Sequence, residues 1–265
     1  DYLTNYNYYA GLGTGKIWYN GDNERDIDRF VSVYFNGSYN LLKKYTISAS
    51  VRRDASNLFG VNTNNRWKPL WSVGALWNID RESFYNWKWL PRLALRATYG
   101  KSGNVNNSVP AQTTITYSSG LSSLGRLTNA YVNNPPNPDL RWENVGQLNL
   151  ALDFAALKHR ITGSLSYFRK NATDLIAIVN VDPTLGVDIL NRNAASLRTQ
   201  GWEIQLNALP IDAAFKWRTT LLHSVNRTKI TGYSYRSNVI ANLVASGQNL
   251  SPIEGYSAYN IVSYR

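Results

Sequence analysis

Hydrophobic and polar residues alternate along this chain in segments of roughly ten residues, the period of a β-strand with two different faces. In the first clear segment, Val31, Val33 and Phe35 would lie on one face, opposite Ser32 and Tyr34. Seven further segments repeat the pattern, at residues 45–52, 71–78, 92–99, 147–154, 161–167, 202–208 and 217–221. The pattern predicts roughly eight strands of the length that crosses a bilayer at a tilt.

The connections between these segments alternate in length. Three are short, at residues 40–44, 155–158 and 210–214, and the connection at 81–90 is moderately longer. Long polar stretches separate them, at residues 57–65, 103–141, 171–197 and from 232 to the end. Outer-membrane β-barrels have short turns on one side and long external loops on the other. We therefore predict an all-β fold, a transmembrane antiparallel β-barrel segment.

A soluble carbohydrate-binding β-sandwich is the alternative fold, because it also has alternating strands. Its strands commonly have about five or six residues, whereas the segments here are nearly twice as long. The aromatic content of 13%, with 9 Trp and 18 Tyr, fits the interface belts of a barrel. A mean hydropathy of -0.35 is compatible with a barrel wall, in which lipid-facing and lumen-facing residues average out.

Composition argues against an enzyme and against nucleic-acid binding. The chain has no Cys and only His159 and His223, which leaves little for a catalytic triad or a histidine metal site. We expect no catalysis and no cofactor. The net charge of +11 comes from scattered basic residues rather than a basic helix, which favours a solvated rim or lumen over a phosphate-binding surface.

Four acidic residues near the start alternate in a way that could suit a hard cation. They are Asp22, Glu24, Asp26 and Asp28. A calcium-binding loop would favour Gly where Ile27 stands, and two neighbouring arginines could neutralise the cluster. We favour a solvated ion-pair network and predict no metal site, with a calcium ion as the open alternative.

The stretch at residues 103–141 is rich in Asn, Ser, Thr and Tyr, which can hydrogen-bond to and stack on a polar ligand. Pro135 to Pro138 should make part of it rigid and extended. An ordinary solvated loop is the alternative. Our candidates for substrate contact are Tyr117, Arg126, Tyr131, Asn133 and Asn134.

Several motifs occur in a characteristic order along the chain. They are Tyr45-Thr-Ile-Ser-Ala-Ser-Val-Arg-Arg-Asp-Ala-Ser56 with Phe59-Gly60, Asn65-Arg-Trp67 through Trp77 with Glu82-Ser-Phe84, Leu93-Ala-Leu-Arg-Ala-Thr-Tyr-Gly-Lys-Ser-Gly-Asn104, Asn137-Pro-Asp-Leu-Arg-Trp-Glu143 and Gly201-Trp-Glu-Ile204. Together they resemble the motifs of one family, the SusC/RagA-like TonB-dependent outer-membrane transporters. Ala55 replaces the family's usual Gly, and Leu70-Trp71 stand where Phe-Pro is commoner.

The resemblance implies a plugged barrel of roughly 22 strands in the bacterial outer membrane. Residues 1–265 would be part of the barrel domain, and we expect the plug domain, the TonB-contacting segment and the remaining strands outside this chain. The implied function is import of a large nutrient, an oligosaccharide or a peptide, with a SusD-like lipoprotein and TonB as partners. Membrane lipid and lipopolysaccharide would surround the wall, and Arg92 and Arg96 are candidates to face the lumen. A structural or docking barrel is the other alternative.

Overall fold

The computed structural model describes residues 29–56, 67–104, 113–121, 128–182, 184, 187, 189–233 and 252–258. These residues form ten β-strands and one short 3₁₀ turn, Ile79–Arg81. In this described part of the chain, no helix has the length and apolar character to cross a bilayer. The strands are β1 Phe30–Leu41, β2 Tyr45–Ser56, β3 Trp67–Asn78, β4 Arg92–Asn104, β5 Thr114–Leu121, β6 Thr128–Asn134, β7 Glu143–Ala156, β8 Ile161–Asn180, β9 Ile189–Asp212 and β10 Lys216–Tyr233.

Eight of the strands form one antiparallel sheet in the order β1-β2-β3-β4-β7-β8-β9-β10. These eight strands coincide with the eight alternating segments, so the predicted all-β fold is confirmed. Strands β5 and β6 pair only with each other and form a separate hairpin between β4 and β7. A sandwich requires two sheets packed face to face, and the described strands contain no such pair.

The pairing register gives the sheet one apolar and one polar face, because side chains alternate along every strand. One continuous row of partners, from β2 to β9, illustrates the apolar face: Tyr45, Trp77, Leu95, Leu152, Leu165 and Ile204. Aromatic pairs lie on this face, with ring centroids 5.6 Å apart for Trp71 and Tyr99 and 4.9 Å apart for Tyr167 and Trp202.

The two ends of the sheet differ in their connections. At one end, which we call the turn end, β1 joins β2 and β7 joins β8 through tight turns. Leu42 and Lys43 have φ of 53° and 57°, and the amide of Lys44 donates to the carbonyl of Leu41 at 3.0 Å. Two successive left-handed residues closed by such a bond form a type I′ turn, whose twist matches that of antiparallel strands. The opposite end, from which the long connections leave, is the rim end.

The rim end contains more strand than the hydrophobic pattern predicted. Residues 171–197 were expected to be a loop, but β8 continues to Asn180 and β9 begins at Ile189. The stretch at 103–141 was also expected to lack strands, yet it contains β5 and β6. Both predictions were wrong because the regular alternation is lost in these stretches, although the backbone pairing continues. Residues 175–179 of β8 form an unbroken apolar run, whereas β5 and β6 are rich in Thr, Ser and Asn.

The extension of β8 and β9 contains two irregularities that compensate for each other. Ala172 pairs with Leu197, Leu175 with Ala195, and Ile176 with Asn193. The first step adds a residue to β8, the second adds one to β9, and the original register then resumes. Asp174, in the first bulge, has a left-handed φ of 57°, a conformation that Asp tolerates better than most residues.

Candidate functional site

The polar face carries Arg92 and Arg96, two of the predicted site residues. Arg92 pairs with Ala155 and Arg96 with Ala151, so both project on the side of the sheet opposite Leu93 and Leu95. They line a concave cavity of about 380 Å³ towards the turn end. Its other lining residues include Asp153, Ser164, Gln205 and Asn207.

Arg96 and Asp153 form the ion pair of this cavity, with Nη2 and Oδ2 3.5 Å apart. The side chains are 52% and 28% exposed, so water weakens their attraction. A loose pair of this kind leaves the guanidinium N–H groups able to exchange partners. Asp153 was not singled out from sequence, although its position beside Leu152 and Phe154 in an alternating segment placed it on the polar side.

Short polar side chains elsewhere on this face bond across neighbouring strands. Ser50 and Ser72 lie 2.7 Å apart between their hydroxyl oxygens, and Arg52 donates to the Ser32 hydroxyl at 3.2 Å. The Asn149 amide donates to the Thr98 hydroxyl at 3.1 Å. The face is therefore hydrophilic and built from groups that satisfy one another.

The motif at residues 137–143 forms the second part of the site, at the rim end. Leu140 is 1% exposed and Trp142 is 6% exposed, so this segment is packed rather than solvated. The buried amide of Asn137 donates to the carbonyl of Asn191 in β9 at 2.8 Å. The segment that follows the β5–β6 hairpin is thereby fixed to the extension of β9. We call residues 137–143 the anchor segment.

Asn193 bonds the anchor segment to the β8 bulge. Its Oδ1 accepts the Arg141 amide N–H at 2.9 Å, and its Nδ2 donates to the carbonyls of Arg141 at 2.7 Å and Asp174 at 2.6 Å. The Arg141 guanidinium donates through Nη2 and Nε to Asp174 Oδ1, at 2.5 and 3.2 Å. One amide side chain thus satisfies three backbone groups that the bulge and the anchor segment would leave unpaired.

Glu143, at the rim end of β7, joins this strand to both neighbouring strands, β4 and β8. Its Oε2 accepts the Asn104 side-chain amide of β4 at 2.9 Å, and its Oε1 accepts the Ile176 backbone N–H of β8 at 3.1 Å. The motif at residues 137–143 stood out in the sequence only by its family resemblance, and no structural role was predicted for Glu143. The alternation of strands carries no signal for such contacts, because the partners are far apart in the chain.

The anchor segment, β8 and β9 together line a polar cavity of about 400 Å³ at the rim end. Arg141, Arg192, Asn180 and Asn193 are among its lining residues. Guanidinium and amide groups donate hydrogen bonds to carboxylates, carbonyls and sugar hydroxyls. None of these four residues was predicted to be a site residue. Asn180, Arg192 and Asn193 lie in a stretch expected to be a loop, and Arg141 lies in a motif quoted only for its family resemblance.

The β5–β6 hairpin carries four of the five predicted substrate-contact residues. Tyr117 pairs with Ala130 and Tyr131 with Thr116, so the two tyrosines occupy adjacent positions in the ladder. Asn133 and Asn134 lie at the end of β6. Arg126 lies outside the described residues, as do Asp22, Glu24, Asp26 and Asp28 of the acidic cluster. Among the described residues, no group of acidic or histidine side chains is arranged to hold a metal ion.

At the turn end, the Glu82 carboxylate joins the β1–β2 turn to the start of β2 and the end of β3. It accepts Tyr45 Oη at 2.5 Å and Trp77 Nε1 at 3.1 Å through Oε1, and Lys44 Nζ at 2.9 Å through Oε2. The Tyr45 hydroxyl, then the Lys44 ammonium and the Trp77 indole N–H, lower the pKa of Glu82 to about 2. This Glu82 cluster closes the connection between β3 and β4 against the start of β2.

Comparisons with known proteins agree with this geometry. The family model described as "TonB dependent receptor-like, beta-barrel" matches residues 1–264. The chain belongs to the TonB-dependent receptor β-barrel family. This is a family of outer-membrane receptors and transporters rather than enzymes, so the predicted location in the outer membrane is confirmed.

Curated relatives come from Bacteroidota. The chain is 32% identical over 232 residues to TonB-dependent receptor P26 of Formosa agariphila, covering 83% of the chain and 22% of the relative. It is 29% identical over 210 residues to TonB-dependent receptor SusC of Bacteroides thetaiotaomicron, covering 76% of the chain and 21% of SusC. The chain thus spans about a fifth of the length of these relatives.

Solved structures show the same fold. The RagAB peptide importer in its closed-closed state superposes with a TM-score of 0.69 at 24% identity, covering 79% of this chain and 23% of that chain. The predicted resemblance to SusC/RagA-like transporters is confirmed by these relatives together.

Proposed function

We propose that this chain forms part of the wall of an importer that carries a large nutrient, an oligosaccharide or a peptide, across the bacterial outer membrane. Membership of the TonB-dependent receptor family is the observation that carries the proposal. The relatives named SusC and RagAB support a large nutrient as cargo, since RagAB is described as a peptide importer.

In this proposal, the apolar face meets lipid and the polar face lines the lumen. Barrel strands alternate between lipid-facing and lumen-facing residues, and the aromatic pairs of the apolar face suit the membrane interfaces. Arg92 and Arg96 would then project into the lumen beside Asp153. Their exposed guanidinium groups could contact a passing polar ligand or the plug domain, which we expect outside this chain.

The β5–β6 hairpin and the neighbouring rim cavity are the proposed contact surface for the cargo. Long loops of outer-membrane barrels face the exterior, and the anchor segment holds this one at a defined place above the sheet. Tyr117, Tyr131, Asn133, Asn134 and Arg126 remain our candidates for contact with cargo or with a SusD-like lipoprotein. TonB would supply energy through a segment that we expect elsewhere in the protein.

Uptake by cells tests the proposal. The full-length transporter carrying Tyr117→Ala and Tyr131→Ala should insert normally but take up labelled oligosaccharide or peptide several-fold more slowly, because stacking surfaces contribute about 1 kcal/mol each. The matched control is Ile115→Ala with Val132→Ala, a directly opposed pair in the same two strands. Equal uptake by the tyrosine variant and the control would refute a contact role for these tyrosines.

A structural or docking barrel is the second candidate, and dependence on energy separates the two. Import of the proposed kind should stop when TonB is deleted and should require the lipoprotein, which ought to co-purify with the transporter. A barrel that assembles at the surface but moves no labelled oligosaccharide or peptide in TonB-containing cells would favour the docking role.

A further inference from the structure

Four basic residues lie in two adjacent rows on the apolar face of β8, β9 and β10. In the first row Arg169, Gln200 and Arg227 are successive partners, and in the second Asn171, Arg198 and Lys229 are partners. Because strands lie about 4.8 Å apart, each row spans roughly 10 Å. We call Arg169, Arg198, Arg227 and Lys229 the basic patch.

The basic patch lies directly on the rim side of the aromatic pair on the same face. Tyr167 and Trp202 are opposed partners, and Arg169 and Gln200 are the next residues of that face towards the rim. On the turn side follow Leu165, Ile204 and then Leu206. The order along the face is therefore apolar band, aromatic pair and cations, which matches the acyl chains, interface and headgroups of a lipid leaflet.

Two more cations lie on the same face in β2 and β4, also on the rim side of aromatic residues. Lys101 pairs with Trp71, and the guanidinium of Arg53 lies 4.8 Å from the ring centroid of Trp67. Both basic residues are on the apolar face, since Lys101 is two residues from Tyr99 and Arg53 is two residues from Val51. Cations beyond the aromatic residues thus recur across the described sheet.

Carboxylates do not balance this charge on the apolar face. Asp54, Glu143, Asp153 and Glu203 all alternate onto the polar face, where Arg52 pairs with Asp54 and Arg96 with Asp153. Asp174, in the bulge, is paired with Arg141. In the described strands between the aromatic pair and that bulge, the apolar face carries cations and no Asp or Glu.

The arginines of the basic patch also retain donors. Arg198 donates through Nε to the Asn171 side chain at 2.9 Å, which leaves its two terminal nitrogens for another acceptor. The Nε of Arg169 is buried and has no hydrogen-bond partner among the described residues. Arg227 and Lys229 are exposed. Planar guanidinium groups in this arrangement suit the oxygens of phosphate groups.

We propose that the basic patch binds the phosphate groups of a glycolipid in the outer leaflet of the outer membrane. Acyl chains would pack on the apolar band below the patch, and the cations would neutralise the phosphorylated sugar headgroup. The patch is on the face opposite Arg92 and Arg96, so it is a site separate from the path of the cargo. It acts as a membrane contact that fixes the depth and lipid surroundings of the wall.

The test uses full-length transporter reconstituted with phosphorylated or dephosphorylated lipid A, with retained glycolipid measured by mass spectrometry. The wild-type protein should prefer the phosphorylated form by about tenfold, which corresponds to roughly 1.4 kcal/mol. The variant combining Arg169→Gln, Arg198→Gln and Arg227→Gln should lose that preference. An unchanged preference in this variant, or none in the wild-type protein, would overturn the proposal.

A charge-matched control distinguishes an effect of the basic patch from an effect of the protein's net charge. Lys43→Gln, Lys158→Gln and Lys216→Gln remove the same charge at the turn end and should preserve the preference. A heat-modifiable gel shift verifies that each barrel is folded. Arg227→Gln alone, at an exposed position, should reduce the preference by a smaller factor and provides the test if the triple variant does not insert. Loss of the preference in the control as well would refute a local site.

Discussion

At the turn end of the sheet, the strands are held by contacts between neighbours, whereas at the rim end they are held by a segment that arrives from a distance. Glu82 binds side chains at the start of β2 and the end of β3, and tight turns close two of the strand pairs. At the rim, the anchor segment follows the β5–β6 hairpin and bonds to β8 and β9.

The difference indicates how each end serves the protein. Contacts between strands that a short turn connects cost less entropy, because closing a longer loop loses more of it. The anchor segment instead restrains a hairpin that carries candidate contact residues. At the rim end, the same contacts therefore stabilise the fold and position the proposed binding surface, whereas the Glu82 contacts at the turn end only close neighbouring strands.

Breaking the packing of the anchor segment should have the largest effect. Leu140→Ala in the full-length barrel should lower the free energy of unfolding by about 2–5 kcal/mol, because Leu140 is 1% exposed and its removal leaves a cavity. Denaturant titration followed by the heat-modifiable gel shift measures this. Leu42→Ala at the turn end, where Leu42 is 74% exposed, is the control and should change little.

Removing the side-chain amide of Asn193 should both lower the stability of the barrel and loosen the anchor segment. Asn193→Ala leaves backbone groups of Arg141 and Asp174 without their partner, which should cost about 1–3 kcal/mol. Proteolysis between β4 and β7 should also become faster in intact cells. Asn191→Ala is the matched control, since Asn191 contributes only its backbone carbonyl to the anchor. Equal proteolysis of the two variants would contradict the anchoring role.

The Glu82 cluster should respond to pH. The folded pKa of Glu82 is about 2, below its ordinary value of 4.5, so the stabilisation is present above pH 4.5 and lost as the pH falls towards 2. Glu82→Gln should lower the thermal transition at pH 7 less than Asn193→Ala does. The gap between wild type and Glu82→Gln should shrink between pH 4.5 and 2; a gap that stays constant would exclude the carboxylate as its source.

The smallest effect is expected at the ion pair between Arg96 and Asp153 on the polar face. Asp153→Asn should change the free energy of unfolding by less than about 1 kcal/mol, because the pair with Arg96 is long and solvated. Its measurable consequence should be in transport, as altered uptake of charged cargo compared with neutral cargo. A large loss of stability would show that the pair is structural instead.

Alternation of residues was sufficient to predict the eight sheet strands, since each has one apolar and one polar face where it crosses the membrane. It failed beyond the aromatic pairs. Residues such as Asn171 and Arg198 are polar on what is still a paired strand, and Thr and Asn in β5 and β6 resemble loop composition. Asn193 and Glu143 act through partners 19 to 52 residues away, which local patterns do not encode.

The compensating bulges in β8 and β9 have a consequence for variation. Each bulge alone would shift the pairing of all later residues by one position, but the two shifts cancel within a few residues. The rim can therefore gain or lose residues in balanced pairs while the wall below keeps its alignment. Such an arrangement lets the outer part of a barrel diversify as a module, without changing the position of the barrel in its membrane.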